Sequence, residues 1–215
     1  MEQAKPYSRS TDAVMRGESR ESDLLALATA FRPFSSLLVA IACVAAVFGL
    51  AHAPHGSGFT EFTYFLLTPY YFAIIALRPA AVFGHNKRDI AKAIGFAMIA
   101  VLALYLCDIA VRSLALGSVH VAWRPVALEM IAFSLAAALV ETVLFQIGIQ
   151  ARVKGWLGIV LATLIFFGFH LSLNPIFLIA GVVLCLLQVV TRRPGASLVT
   201  HAGYNLLISL VPPVQ

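Results

Sequence analysis

Apolar residues dominate the chain after residue 32, and they fall into long runs separated by short polar connections. A helix needs about 20 mostly apolar residues to cross the hydrocarbon core of a bilayer. The pattern therefore predicts an all-α fold, a polytopic membrane helical bundle of about seven transmembrane helices. The predicted segments cover residues 33–52, 59–77, 90–116, 125–149, 156–173, 176–190 and 195–211.

Lysine and arginine residues are distributed unevenly between the ends of these segments. They collect in the N-terminal tail and in every second connection, while the intervening connections carry Arg124 or none. Positively charged connections remain in the cytoplasm. The chain is thus predicted to begin with a polar cytoplasmic segment at 1–32, followed by a transmembrane helical domain at 33–215 that crosses seven times.

Composition excludes a soluble globular domain, because 60% of the residues are hydrophobic and only 12% are charged. The net charge of +5 does not indicate a nucleic acid partner, because the cations lie in connections and not on one basic face. The expected surroundings are the lipid bilayer.

Only five acidic residues follow residue 32, and most have an ordinary structural explanation. Asp108 and Arg112 are four residues apart on one predicted helix and are expected to form an ion pair. Asp89 lies in a connection, and Glu61 and Glu129 lie near an interface. Glu141 is left deep in the fourth segment without a local cation, which makes it a candidate functional residue.

Three further polar residues lie deep in other apolar segments, namely His170, His201 and Asn205. With Glu141 they form a coherent hydrolytic set: the carboxylate as a general base for water, and His170 as the group that holds water or passes on a proton. His201 and Asn205 are four residues apart and present two donors that can stabilise an oxyanion. We therefore expect hydrolysis of an amide bond within the membrane.

The same residues resemble the three motifs of the CPBP family of intramembrane proteases, which includes type II CAAX prenyl endopeptidases and bacteriocin-processing proteins. The family pattern is E-E-x-x-x-R, F-x-x-x-H and H-x-x-x-N/D. The second motif is matched by Phe166 to His170 and the third by His201 to Asn205. The resemblance covers a catalytic core at about 125–211.

The first motif is degenerate in this chain. It keeps the leading Glu141, but Thr142 and Gln146 stand where the family has its second Glu and its Arg. Because the replaced residues are four apart, a pair exchanged as a unit explains both changes. Thr142, Gln146 and Phe166 are therefore expected to support the site.

The resemblance implies a membrane-associated peptide or protein substrate and an integral, multi-pass location, expected in a bacterial cytoplasmic membrane. We expect catalysis without a cofactor. Zinc is the alternative, and its ligands would be Glu141, His170 and His201.

Two other classes of function remain open. The first is a proton-coupled transporter in which Glu141 and His170 relay protons. The second is a non-catalytic membrane scaffold or immunity protein, which the degenerate first motif favours.

Overall fold

The computed structural model describes residues 68–214 apart from 70, 74, 154 and 171. The predicted cytoplasmic segment 1–32, the first predicted span and most of the second lie outside the described residues. Regular structure within them is almost entirely helical, with one short antiparallel strand pair. In chain order the elements are α1 (Pro79–Phe83), α2 (Lys87–Leu116), β1 (His120–Val121), α3 (Leu128–Glu141), a π-helix (Thr142–Gln150), α4 (Trp156–Phe169), α5 (Pro175–Thr191), α6 (Pro194–Leu210) and β2 (Pro213–Val214).

Helix α2 has one buried face and one exposed apolar face. Ala93 and Ala97 are buried, whereas Ile94 and Met98 are exposed. Small residues allow close helix packing within a membrane, and α2 packs mainly against α6. The exposed apolar side chains agree with a helix at the surface of a membrane bundle.

Helix α3 and the π-helix form one continuous apolar rod from residue 128 to residue 150, where the sequence predicts a single span at 125–149. This rod is the centre of the described bundle and contacts α4, α5 and α6. The sequence did not predict the change of helix type after Glu141. It is visible where the Ala151 N–H donates to the Gln146 carbonyl at 3.0 Å, five residues back.

Helix α4 is shorter than the segment predicted at 156–173. It ends at Phe169 after 14 residues, a length of ~21 Å against a hydrocarbon core of about 30 Å. The chain then turns, and α5 begins where the Asn174 side chain accepts a hydrogen bond from the Ile176 N–H at 3.0 Å. Together α4 and α5 form a hairpin whose turn contains His170.

By length and composition, two of the described helices qualify to cross a membrane, namely α2 and the rod formed by α3 and the π-helix. Helices α4, α5 and α6 are shorter, with 14, 17 and 17 residues. The described part is thus consistent with a membrane helical bundle. The number of seven spans stays a prediction.

Basic residues gather where α2 and α6 begin and where the π-helix and α5 end, represented by Lys87, Arg152, Arg192 and Arg193. We call this the basic end of the bundle. Arg193 is buried there, and its Nη1 donates to the Ala80 carbonyl at 3.0 Å, which ties the start of α6 to α1.

Helices α4 and α5 approach closely at Gly181. A Cβ atom at this position would lie 3.2 Å from Thr163 Cγ2 and 3.3 Å from Phe166 Cδ1. We expect Gly181→Val to lower the free energy of unfolding by about 1–3 kcal/mol, the usual cost of overpacking. Thermal unfolding in detergent measures the change. Gly95→Val is the matched control, because nothing lies within 4 Å of a Cβ atom there. An equal effect of both substitutions would contradict the packing.

Candidate active site

Three of the residues singled out from the sequence meet in the core of the bundle. Glu141 Oε2 lies 3.5 Å from His201 Nε2 and 3.7 Å from His170 Nε2. Glu141 comes from the end of α3, His170 follows α4, and His201 lies on α6. Glu141 and His201 are only 4% and 5% exposed, whereas the His170 side chain is 19% exposed. The site is thus buried except at the edge of one imidazole.

His170 is held with one ring nitrogen directed at Glu141. Its Nδ1 lies 2.8 Å from the Phe166 carbonyl oxygen. A carbonyl oxygen only accepts hydrogen bonds, so Nδ1 carries the hydrogen. In the neutral ring Nε2 is then an acceptor that faces Glu141, and it is able to receive a proton.

His201 has the opposite arrangement. Its Nδ1 is buried without a hydrogen-bond partner among the described residues, while its Nε2 faces Glu141. A buried N–H without an acceptor is rarer than a buried acceptor without a donor. The favoured neutral form therefore carries its hydrogen on Nε2. The carboxylate thus faces one acceptor, on His170, and one donor, on His201.

Aromatic rings fix both imidazoles. The Phe166 ring lies 4.4 Å from the His170 ring and 5.7 Å from the His201 ring, measured between centroids. Phe177 stacks on His170 at 4.2 Å, and Phe145 packs edge-on against Phe166 at 5.3 Å. Phe166 was selected by its motif. Phe145 and Phe177 were missed, because an aromatic residue in an apolar run has no signal that separates a wall of the site from ordinary core.

The Asn205 side chain forms a hydrogen bond with the backbone of α3. It lies one turn beyond His201 on α6, and its Nδ2 donates a long hydrogen bond of 3.5 Å to the Ser134 carbonyl. Ser134 precedes Glu141 by seven residues on α3. The predicted role of Asn205 as an oxyanion donor thus requires its amide to leave a weak bond.

The two residues that replace the family's Glu and Arg are both buried. Thr142 and Gln146 are each 1% exposed and lie in the first turns of the π-helix. The Gln146 amide lies beside the thiol of Cys185 on α5. Both positions therefore carry polar side chains, as in the family pattern, but neither side chain is charged.

The ion pair predicted between Asp108 and Arg112 is confirmed. Arg112 Nε donates to Asp108 Oδ1 at 2.9 Å, and the Asp108 side chain is fully buried. Glu129, at the start of α3, is exposed as predicted. Neither acid lies at the candidate site, which agrees with the structural roles that the sequence indicates for them.

A metal centre is not apparent in the part of the chain that the structure describes. Within it, no group of three or more His, Cys, Asp or Glu side chains has an arrangement able to hold a metal ion. Zinc coordination by Glu141, His170 and His201 stays an alternative prediction.

The structure thus places a buried carboxylate and two imidazoles together among apolar helices. Residues 122–207 match the family model described as type II CAAX prenyl endopeptidase Rce1-like. This match confirms the resemblance seen in the motifs, and the matched segment includes Glu141, His170, His201 and Asn205. No curated protein and no solved structure matches the chain. The family and the apolar helices together indicate an integral membrane protease of the CAAX type.

The two imidazoles are expected to occupy different tautomers when neutral, with the hydrogen on Nδ1 in His170 and on Nε2 in His201. The reason is the Phe166 carbonyl, which accepts a hydrogen bond from Nδ1 of His170. Nitrogen-15 NMR of histidine-labelled protein in micelles measures this, because the protonated and bare ring nitrogens have distinct shifts. A hydrogen on Nε2 of His170 would contradict the assigned hydrogen bond.

Proposed function

We propose that the protein is an intramembrane endopeptidase that hydrolyses a peptide bond with a water molecule activated by Glu141. The observation that supports this most strongly is the position of Glu141 Oε2, 3.5 Å and 3.7 Å from two imidazole nitrogens in a buried site. Both distances allow one water to lie within hydrogen-bonding distance of all three side chains. General-base catalysis requires this proximity.

In the first step the Glu141 carboxylate removes a proton from water, and the oxygen attacks the carbonyl carbon of the peptide. His170 Nε2, as an acceptor, holds the water in line for the attack. The carbonyl oxygen becomes an oxyanion in the tetrahedral intermediate. The removed proton then passes from Glu141, directly or through His170, to the departing nitrogen as the carbon–nitrogen bond breaks.

The oxyanion is stabilised by the donors on α6. The Nε2–H of His201 already faces the site, and Asn205 is one turn away with an amide held only by a 3.5 Å bond. Binding of substrate would draw this amide from the Ser134 carbonyl toward the oxyanion. Donors that act in a site shielded from water stabilise developing charge more strongly than they would in solution.

The substrate is a peptide or protein at the membrane. The exposed edge of His170 lies at the turn between α4 and α5, where a chain can reach the site without crossing the buried core. The name of the matched family suggests a prenylated CAAX peptide as the first substrate to test. We also place the basic end in the cytoplasm, following the distribution of positive charge.

Glu141→Gln is expected to lower kcat by at least about 100-fold, because general-base catalysis contributes at least this much. Glu129→Gln makes the same chemical change at an exposed position of the same helix and should retain activity. The assay combines cleavage of a prenylated CAAX peptide with mapping of new termini in a membrane proteome.

Full activity of Glu141→Gln would exclude the mechanism. If no cleavage is found with either substrate, two outcomes identify the other functions. Loss of pH-dependent proton flux in Glu141→Gln liposomes indicates a transporter, and intact biological activity of the Glu141→Ala and His170→Ala variants indicates a scaffold.

Catalysis is proposed to need no metal. Purified protein treated with a strong chelator should retain its cleavage rate, because in the proposed mechanism Glu141 and the two histidines activate water and transfer the proton without a metal. Added Zn²⁺ should not raise the rate. Activity that is lost with chelator and returns with Zn²⁺ would instead assign Glu141, His170 and His201 as metal ligands.

A further inference from the structure

A second group of buried polar side chains lies next to the candidate site, and the proposed mechanism does not use it. Gln146, Gln150 and Gln188 are 1%, 7% and 6% exposed. Gln188 Nε2 donates to the Gln146 carbonyl at 3.0 Å, and Gln150 Nε2 donates to the Cys185 carbonyl at 2.8 Å. We call these three residues, together with Thr142, the glutamine cluster.

The cluster retains five polar atoms without a hydrogen-bond partner among the described residues, apart from the weak contact of the Gln146 amide with the Cys185 thiol. Buried polar atoms in native proteins are nearly always satisfied by protein or by ordered water. Several such atoms in one place therefore point to a shared ligand. The atoms are Thr142 Oγ1, Gln146 Oε1 and Nε2, Gln150 Oε1 and Gln188 Oε1.

The cluster lies between the site and the basic end. Gln146 is five residues beyond Glu141, one turn of a π-helix, and Gln150 is the last residue of that helix. Arg152, two residues after Gln150, is exposed. The polar atoms thus form a line that begins beside Glu141 and ends near the exposed surface.

Neighbouring helices agree with this direction. Thr163 and Cys185 contact each other at 3.8 Å beside Gln146. Thr163 lies about two turns of α4 nearer the basic end than His170, which follows that helix. Cys185 lies about two turns of α5 nearer the basic end than Phe177. Gln188 is a further turn along α5. Two helices besides the π-helix therefore place the cluster on the same side of the site.

We propose that Thr142, Gln146, Gln150 and Gln188 bind a short chain of water molecules that supplies Glu141 from the basic end. Water fits because it both donates and accepts, and the cluster presents four oxygens and one amide NH2 group. It also carries no charge, as expected for a site whose ligand side chains are neutral. The inference rests on the proposed hydrolysis, which consumes one water per peptide bond.

A separate water route explains how two reactants reach one buried site. The peptide is proposed to arrive at the exposed edge of His170, at the turn between α4 and α5. The glutamine cluster lies on the opposite side of Glu141, toward the basic end. A bound peptide would therefore leave the supply of water open.

The first experiment detects the water itself. Hydroxyl-radical labelling followed by mass spectrometry marks sulfur atoms that have water beside them. Cys185 is 0% exposed, yet in the unaltered protein it should be labelled at a rate similar to that of the partly exposed Cys107. Gln146→Leu should reduce labelling of Cys185 several-fold and leave that of Cys107 unchanged. Absence of labelling at Cys185 in the unaltered protein would overturn the proposal.

The second experiment measures turnover. Gln146→Leu and Gln188→Leu are expected to lower kcat by about tenfold, a barrier increase of 1.4 kcal/mol, with little change in KM. Thermal stability should not fall in Gln146→Leu, because the substitution removes no strong hydrogen bond of that side chain. Ser197→Ala is the matched control: it removes a buried hydroxyl bonded to the Leu184 carbonyl and should keep kcat.

The outcomes separate the inference from the proposed function. Unchanged kcat and Cys185 labelling in Gln146→Leu would overturn the water chain, while loss of activity in Glu141→Gln would still support hydrolysis. Water-dependent labelling of Cys185 together with full activity of Glu141→Gln would retain the water chain and reject the mechanism. If activity is lost in choline chloride and restored by sodium chloride, the ligand of the glutamine cluster is a cation and not water.

Discussion

Placing a carboxylate inside an apolar bundle is the constraint that organises the described structure. A buried polar group is costly unless other groups or water satisfy it, and Glu141 lies in a core made mostly of aliphatic and aromatic side chains. Two imidazoles lie beside this carboxylate, one on the residue that follows α4 and one on α6. Because these nitrogens lie within 3.7 Å of one oxygen, the ends of α3, α4 and the middle of α6 must converge on one point. The aromatic rings around the imidazoles then hold that convergence.

Two changes in the described backbone lie directly beside this point of convergence. The π-helix begins directly after Glu141, and α4 ends directly before His170. Irregular backbone at membrane depth is tolerated only where protein or water covers it. Here side-chain amides cover it: Gln188 donates to the Gln146 carbonyl within the π-helix. The departures from regular helix and the polar residues are therefore one feature of the site.

The sequence predicts most of the helices and the position of the candidate site. The features that it does not predict have identifiable physical reasons. Long apolar runs bounded by Arg, Asn and Pro locate α2, α5 and α6 to within a few residues, and a lone Glu141 with deep histidines locates the site. Hydropathy contains no information about hydrogen-bond register, so the π-helix and the early end of α4 were not predictable. Gln150 and Gln188 have no distinguishing signal in the sequence, because a single neutral amide in an apolar run is much less costly to bury than a charge. The position of Asn205 depends on the tilt between α3 and α6, which spacing on one helix does not reveal.

The exchanged first motif acquires a physical meaning from the same geometry. Removing one member of a buried ion pair leaves an uncompensated charge, whereas replacing both members is often nearly neutral. Thr142 and Gln146 stand at the two positions of the family's Glu and Arg, and both side chains are buried in the π-helix. The exchange leaves Glu141 between its two imidazoles, so the proposed base does not depend on the lost pair. What the exchange alters is the region toward the basic end. A charged pair that would satisfy itself has become neutral side chains with unsatisfied polar atoms, and such a region is better suited to binding water than to excluding it.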